Sequence, residues 1–209
     1  DGEKLTAASR QIHGLLAQVK ETADLEELRG LEGVGASAYF GAFDEMILGD
    51  KEAFFFHGRS RRPPLDAVNA MLSFAYSLLA HDCASALESV GLDSYVGFLH
   101  RDRPGRTSLA LDLMEELRPC MVDRFVLTLI NNRQVKESDF LYMESGAVSL
   151  TDEGRRAFLK GWQEKKKERL THPYLGEKLP WGMIPYVQAL LLARYLRGDI
   201  DAYPPFLWK

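Results

Sequence analysis

Cysteine is scarce in this sequence, and long apolar runs are missing from it altogether. The two cysteines among 209 residues, Cys83 and Cys120, fall in predicted helices and lack the paired spacing of zinc ligands. We therefore interpret both as buried free thiols in a reducing compartment. Because the sequence has no stretch of about 18 apolar residues and no signal-peptide pattern, it predicts neither a membrane-spanning helix nor export. We expect a cytoplasmic protein.

An excess of positive charge is also missing, which argues weakly against a nucleic-acid-binding protein. The formal net charge is -4 at pH 7. The charge is nevertheless unevenly distributed. Residues 1–50 hold ten acidic residues against four Lys or Arg, whereas residues 155–169 hold seven Lys or Arg against two acidic residues. A second basic group, Arg101, Arg103 and Arg106, lies in one loop. A phosphate-binding face requires basic charge bunched in this way.

Helical periodicity runs through most of the chain. Apolar residues recur at helical spacing in several segments, beginning with Leu5–Val19. We expect a further helix from about Thr107 to Asn131, interrupted at Pro119 because proline has no backbone N–H to donate. Residues 171–180 are predicted to form a loop.

One stretch alternates between apolar and polar residues instead. Residues 140–150, with Ser145-Gly146 at their centre, are typical of a β-hairpin. The sequence therefore predicts an all-α fold, a multi-helix domain with one small β-hairpin, and we expect residues 1–209 to form a single domain. Because the first residue is Asp1 rather than Met, we also expect the chain to begin inside a longer protein.

Glu32 is an unusual residue for its surroundings. It stands among glycine and alanine in the predicted helical segment Gly30–Ala36. Each glycine costs a helix roughly 1 kcal/mol relative to alanine, so the small residues must serve another purpose. Glu32 is either a functional carboxylate or a residue at the rim of a closely packed helix pair, and the pattern leaves both interpretations open.

A histidine and two acids form the other candidate site. His100 ends an apolar run and opens the arginine-rich loop, although a lone histidine there is more often structural. Asp112 and Glu115 are three residues apart and share one helix face. Two such carboxylates repel each other unless a cation lies between them, and Glu, Asp and His together suit Mg²⁺ or Mn²⁺. The alternative is that Glu115 merely begins the solvent-exposed face.

Three segments, in this order, resemble the CRISPR-associated Cas1 endonuclease/integrase family: Leu28–Phe40, Gly97–Arg106 and Ser108–Pro119. The closing Tyr203–Lys209 is similar to the tail of subclass I-C members. The resemblance implies the catalytic C-terminal domain, and we expect the family's N-terminal β-rich dimerisation domain to be absent from this chain.

For the site, the resemblance implies a catalytic metal held by Glu32, His100 and Glu115, with Asp112 beside them. The metal would be Mg²⁺ or Mn²⁺. Whether Asp112 or Glu115 is the direct ligand stays open, since many relatives have Asp at the position of Glu115. We further expect a set of arginines to contact DNA: Arg59, Arg61, Arg62, Arg101, Arg103, Arg106 and Arg118.

The activity implied by the resemblance is insertion of foreign DNA fragments (spacers) into a CRISPR array by phosphodiester transesterification. The implied partners are DNA, a second copy of the chain in a homodimer, the Cas2 adaptation protein and the Cas4 nuclease. Two alternatives are a non-catalytic DNA-binding scaffold of the same fold and a helical interaction domain without a nucleic-acid role. Only the net charge favours the latter.

Overall fold

A computed structural model of the protein describes residues 2–101 and 103–208. These residues form seven α-helices and two short antiparallel strand pairs, namely α1 (Gly2–Glu21), α2 (Leu25–Gly41), α3 (Ala67–Ser89), α4 (Ser108–Glu115), α5 (Arg124–Asn131), β1 (Phe140–Tyr142), β2 (Val148–Leu150), α6 (Asp152–Lys167), β3 (Arg169–Thr171), β4 (Lys178–Pro180) and α7 (Ile184–Leu196). The predicted all-α class is confirmed. Across these described residues, no helix is both long and apolar enough to cross a membrane.

The predicted hairpin is present, and a second strand pair accompanies it. In the first pair, Tyr142 lies opposite Val148 and the turn contains Gly146, whose φ is 82°. The second pair joins β3 to β4, where a loop was expected. Each of its strands has only three residues, which is too short for an alternating pattern. It is closed by a hydrogen bond from the His172 N–H to the Glu177 carbonyl (2.8 Å), which local composition does not reveal.

The described chain divides into two compact units. The first contains the residues up to Met71 together with Leu127–Thr151. Its core includes a pair of packed rings, Phe43 and Phe56, whose centroids lie 4.9 Å apart. The side chain of Asn131 joins this unit's separate segments, since it accepts from the Leu48 N–H (2.8 Å) and donates to the Met46 carbonyl (3.0 Å).

The second unit contains Leu72–Val126 and the residues from Asp152 onward. Its core is built around the buried rings of α6: Phe158 packs against Phe125 with centroids 5.2 Å apart, and Trp162 packs against the same ring at 5.3 Å. Phe206, in the C-terminal tail, is 2% exposed and contacts the Trp181 ring. The apolar tail is therefore packed into this unit.

The helix expected from Thr107 to Asn131 is interrupted as predicted, and the interruption is longer than a kink. Helix α4 ends at Glu115, Arg118–Asp123 forms a π-helical segment, and α5 follows directly. Pro119 lies in the first turn of the π-helical segment, where its missing N–H leaves no helical hydrogen bond broken. Arg118 is the first residue of this segment.

Candidate metal centre and DNA-binding residues

Asp112 fixes the backbone that carries His100. Its Oδ2 accepts from the N–H groups of Phe98 (2.6 Å) and Leu99 (3.0 Å), and its Oδ1 accepts from the N–H of His100 (2.9 Å). Gly97 makes this close approach possible, because a Cβ there would lie 3.0 Å from Asp112 Oδ2 and 2.9 Å from the His100 carbonyl oxygen. The loop before His100 is therefore wrapped onto one carboxylate of α4.

The same carboxylate orients the imidazole ring of His100. Asp112 Oδ1 lies 2.6 Å from His100 Nδ1. Burial alone would raise the pKa of Asp112, but the hydrogen bonds from the His100 ring and from the loop N–H groups hold that pKa below its usual value. Because an ionised carboxylate only accepts, Nδ1 donates this hydrogen bond, and Nε2 is the ring nitrogen left to face other groups.

Glu115 lies on the side of His100 that faces away from Asp112. Its Oε1 is 3.8 Å from His100 Nε2 and 3.0 Å from Nη1 of Arg118. The Arg118 guanidinium lies over the ring of Tyr76, 5.0 Å from its centroid, and the Tyr76 hydroxyl donates to the buried Asp123. The Arg118 cation is thus supported on an aromatic face beside the Glu115 carboxylate.

A buried polar network ties the C-terminal tail to the end of α4. The Glu116 carboxylate accepts from the Tyr203 hydroxyl, from Gln188 Nε2 (3.1 Å) and from the Phe206 N–H (2.6 Å). Burial and the Glu116 charge raise the pKa of Tyr203. His172, fully buried like Gln188, donates from Nε2 to Gln188 Oε1 (3.0 Å). The residue beside Glu115 is therefore held by the tail.

The structure gathers part of the predicted site. His100, Asp112 and Glu115 lie together in the second unit, whereas Glu32 is an exposed residue of α2 in the first unit. Within residues 2–101 and 103–208, no three His, Cys, Asp or Glu side chains are grouped as a ready metal site. Two of the three predicted ligands are thus neighbours, and the approach of Glu32 to them stays a prediction.

The predicted DNA-binding arginines differ in their availability. Arg59 is half-buried and donates to Asn69 Oδ1 (2.6 Å) and to the Ser60 carbonyl (2.7 Å), so its guanidinium helps to shape its own loop. Arg61 and Arg62 are exposed in that loop. In the loop that follows His100, Arg101 and Arg103 are exposed and Arg106 is half-buried.

Most of the chain is similar in sequence to known proteins. The family described as "CRISPR associated protein Cas1" matches residues 1–164. A CRISPR-associated endonuclease Cas1 from Rhodospirillum rubrum is 59% identical over 203 residues, which is 97% of this chain. The chain belongs to the Cas1 family. It spans 59% of the length of the R. rubrum Cas1, so it corresponds to about three fifths of that relative.

Solved structures agree with this membership in the Cas1 family. A casposase bound to its integration product superimposes with a TM-score of 0.82 at 30% identity, covering 96% of this chain and 56% of that one. A partial Cas6-RT-Cas1–Cas2 complex superimposes with a TM-score of 0.82 at 26% identity, covering 100% of this chain and 61% of that one.

A further sequence relative is a Cas4/Cas1 fusion from Geobacter sulfurreducens, which is 45% identical over 88% of this chain and 34% of the fusion.

Sequence reasoning missed the residues that support this candidate site. The sequence groups Asp112 with Glu115 as candidate ligands because both share one helix face, but it does not reveal that the Asp112 oxygens accept from the backbone N–H groups of Phe98, Leu99 and His100. Tyr76 and Glu116 gave no signal, because both look like ordinary helix residues. Gly97 did carry a signal, since a glycine within an apolar run can mark a close backbone approach.

Proposed function

We propose that this chain is the catalytic part of a divalent-metal-dependent DNA endonuclease and integrase, which inserts DNA fragments into a CRISPR array by transesterification. One observation carries the proposal: Asp112 fixes the His100 ring through Nδ1 and leaves Nε2 3.8 Å from the Glu115 carboxylate. A carboxylate that orients a histidine from behind is the usual arrangement around metal-ligating imidazoles. The names of the similar proteins, endonuclease Cas1 and a casposase with its integration product, support the same chemistry.

We propose Glu32, His100 and Glu115 as the metal ligands and Asp112 as the residue that positions His100. The donor set fits Mg²⁺ or Mn²⁺, because two ligands each about 2.0–2.6 Å from one ion can lie as far apart as His100 Nε2 and Glu115 Oε1. When bound, the ion supplies Lewis-acid stabilisation of the phosphate oxygens and favours deprotonation of the attacking hydroxyl or water. His100 would ligate through Nε2, while its Nδ1 stays hydrogen-bonded to Asp112.

The basic residues around the site would hold the DNA. Arg101 and Arg103 are exposed directly after His100, so phosphates on either side of the reacting one lie within their reach. Arg118, 3.0 Å from Glu115, would offer its guanidinium to a phosphate oxygen at the same site. Arg61 and Arg62 extend the proposed contacts from the first unit, together with Arg106 from the second.

The proposed partners follow the relatives. DNA is the proposed substrate, and a second copy of the chain, Cas2 and Cas4 are the proposed protein partners, supported by a Cas1–Cas2 complex and by Cas4/Cas1 fusions among similar proteins. Membership of subclass I-C is proposed from the tail alone, Tyr203–Lys209. In each case the longer relatives contain sequence beyond this chain, so these proposals concern the whole protein.

A test of the proposed activity uses labelled single-stranded and branched DNA. We expect cleavage or strand transfer with Mn²⁺ and none with a chelator. A non-catalytic DNA-binding scaffold is the second candidate, and one observation favours it: Arg118, 3.0 Å from Glu115, already balances the charge of that carboxylate. DNA binding that persists while no metal-dependent product appears would select the scaffold.

A further inference from the structure

Three large apolar side chains are exposed directly before His100. Tyr95 is 50% exposed, Val96 58% and Phe98 58%. Apolar side chains grouped on a surface within five residues of a site usually mark a contact with another molecule. None of the proposed roles for this site accounts for them.

The segment that carries these side chains is clamped to α4 at both ends. At its beginning, the carbonyl of the buried Ser94 accepts from the N–H groups of Leu109 (3.0 Å) and Ala110 (3.3 Å), in the first turn of the helix. At its end, Asp112 receives the N–H groups of Phe98 and Leu99. Because the backbone of this segment is fixed at both ends, less conformational entropy is lost when its exposed rings bind another molecule.

We propose that Phe98, together with Tyr95 three residues before it, forms a stacking platform for an unpaired nucleobase of the DNA strand held at His100. The inference rests on the proposed function and names the feature of the substrate that the site prefers. Phe98 and His100 are two residues apart, so their Cα atoms are separated by at most about 7 Å. A base attached to the phosphate at His100, or to its neighbour, therefore lies within reach of the Phe98 ring.

Charge favours a nucleic acid over a protein as the occupant. The exposed rings are followed, after Leu99 and His100, by the exposed cations Arg101 and Arg103, so apolar ring faces and positive charge adjoin in one short segment. A single strand likewise presents base faces next to phosphates. An apolar protein patch would gain nothing from the two arginines. A paired duplex would keep its base faces stacked and leave the rings without a partner.

The test compares two fluorescently labelled single-stranded oligonucleotides of equal length and charge, one with all its bases and one abasic at its central positions. Affinities are measured for the 209-residue chain in chelator, with Phe98→Ala, Phe98→Trp and Tyr174→Ala. Tyr174 is a matched control, being 57% exposed in the same unit and outside the proposed site. We expect the unsubstituted chain to prefer the complete strand about 5- to 100-fold. Phe98→Ala should lose that preference without weaker binding of the abasic strand, and Phe98→Trp should keep it.

The outcomes separate this inference from the proposed function. If Phe98→Ala retains the preference while the chain still cleaves DNA with Mn²⁺, the platform is wrong and the nuclease stands. If the unsubstituted chain binds neither strand, both fail. Should Phe98→Ala instead change the sedimentation coefficient and leave the base preference intact, the patch is a protein contact and the inference is overturned. Where Phe98→Ala lacks the native circular dichroism spectrum, Tyr95→Ala takes its place with the same expected loss of preference.

Discussion

At residue scale, the Asp112 carboxylate accepts four hydrogen bonds, three from consecutive backbone N–H groups and one from the His100 ring. A carboxylate used in this way has few lone pairs left for a metal. Glu115 Oε1 instead lies 3.8 Å from His100 Nε2, the ring nitrogen on the other side from the Asp112 contact. The two acids of one helix face therefore have different proposed roles, and substitutions can separate them.

His100→Ala removes a proposed ligand and leaves the basic loop in place. We expect metal-dependent cleavage to fall by roughly a thousandfold or more, since a ligand contributes several kcal/mol to transition-state stabilisation. DNA affinity should stay near that of the unsubstituted chain. The measurement is a single-turnover cleavage assay in Mn²⁺ beside a binding titration, with the exposed His81→Ala as control. Cleavage by His100→Ala at the unsubstituted rate would refute the catalytic proposal and leave the scaffold.

Glu115→Ala and Asp112→Ala should differ in severity. Loss of Glu115 as a ligand should cost about as much as loss of His100, whereas loss of Asp112 removes only the support of the ring and should cost about 10- to 100-fold. Asp112→Ala should also lower the melting temperature, because three backbone N–H groups lose their acceptor. The measurements are single-turnover cleavage rates in Mn²⁺ and thermal melting curves of the two variants. A larger loss of rate for Asp112→Ala would reverse the ligand assignment.

At element scale, the tail and α7 are joined to α4 through one carboxylate. Glu116→Ala would leave the Tyr203 hydroxyl and the Phe206 N–H without their acceptor, while the Gln188 amide keeps the Tyr203 oxygen and the Pro204 carbonyl as acceptors. We expect the free energy of unfolding to fall by about 1–3 kcal/mol, the cost of a buried donor left unpaired. Urea unfolding measures it, and Tyr203→Phe should show a smaller loss in the same direction.

The control for this network is Tyr195→Phe, which removes a hydroxyl from an exposed tyrosine of α7. Its unfolding curve should match that of the unsubstituted chain, since an exposed hydroxyl is hydrogen-bonded to water in both the folded and the unfolded state. An equal loss for Tyr195→Phe and Tyr203→Phe would show that the Glu116 network contributes nothing specific.

Elements with a long or alternating pattern could be predicted from the sequence, and elements fixed by distant partners could not. The hairpin of β1 and β2 was predicted because Ser145-Gly146 separates two alternating stretches. The pair β3 and β4 was not predicted. The loop between its strands begins at His172, whose ring is hydrogen-bonded to the distant Gln188 of α7. The same distinction applies to the site. Motifs indicated His100 and Glu115, but the orientation of the Asp112 oxygens depends on backbone N–H groups that reach them only in the folded chain.

At the scale of the whole molecule, net charge is a poor guide to function. The chain carries -4 overall, yet exposed arginines stand in two loops, including Arg61 and Arg62 in the first unit. Several cations of α6 are neutralised instead: Lys165 pairs with Glu168 at 2.6 Å and Lys167 with Glu164 at 2.7 Å. The basic run of residues 155–169 is therefore in part a set of surface ion pairs. The cations available to DNA are a smaller group than the composition suggests.

The salt dependence of DNA binding tests which cations belong to that group. Each phosphate contact releases counterions and contributes about -0.9 to the slope of log K against log salt on duplex DNA. Replacing Arg101 and Arg103 together by Ala should therefore reduce the magnitude of the slope by about 1.8 and weaken binding equally for unrelated sequences. The double variant Arg194→Ala/Arg197→Ala makes the same change in net charge at the exposed end of α7 and should leave the slope unchanged. If both double variants lower the slope alike, the effect is one of total charge, and the loop after His100 is not where the phosphates bind.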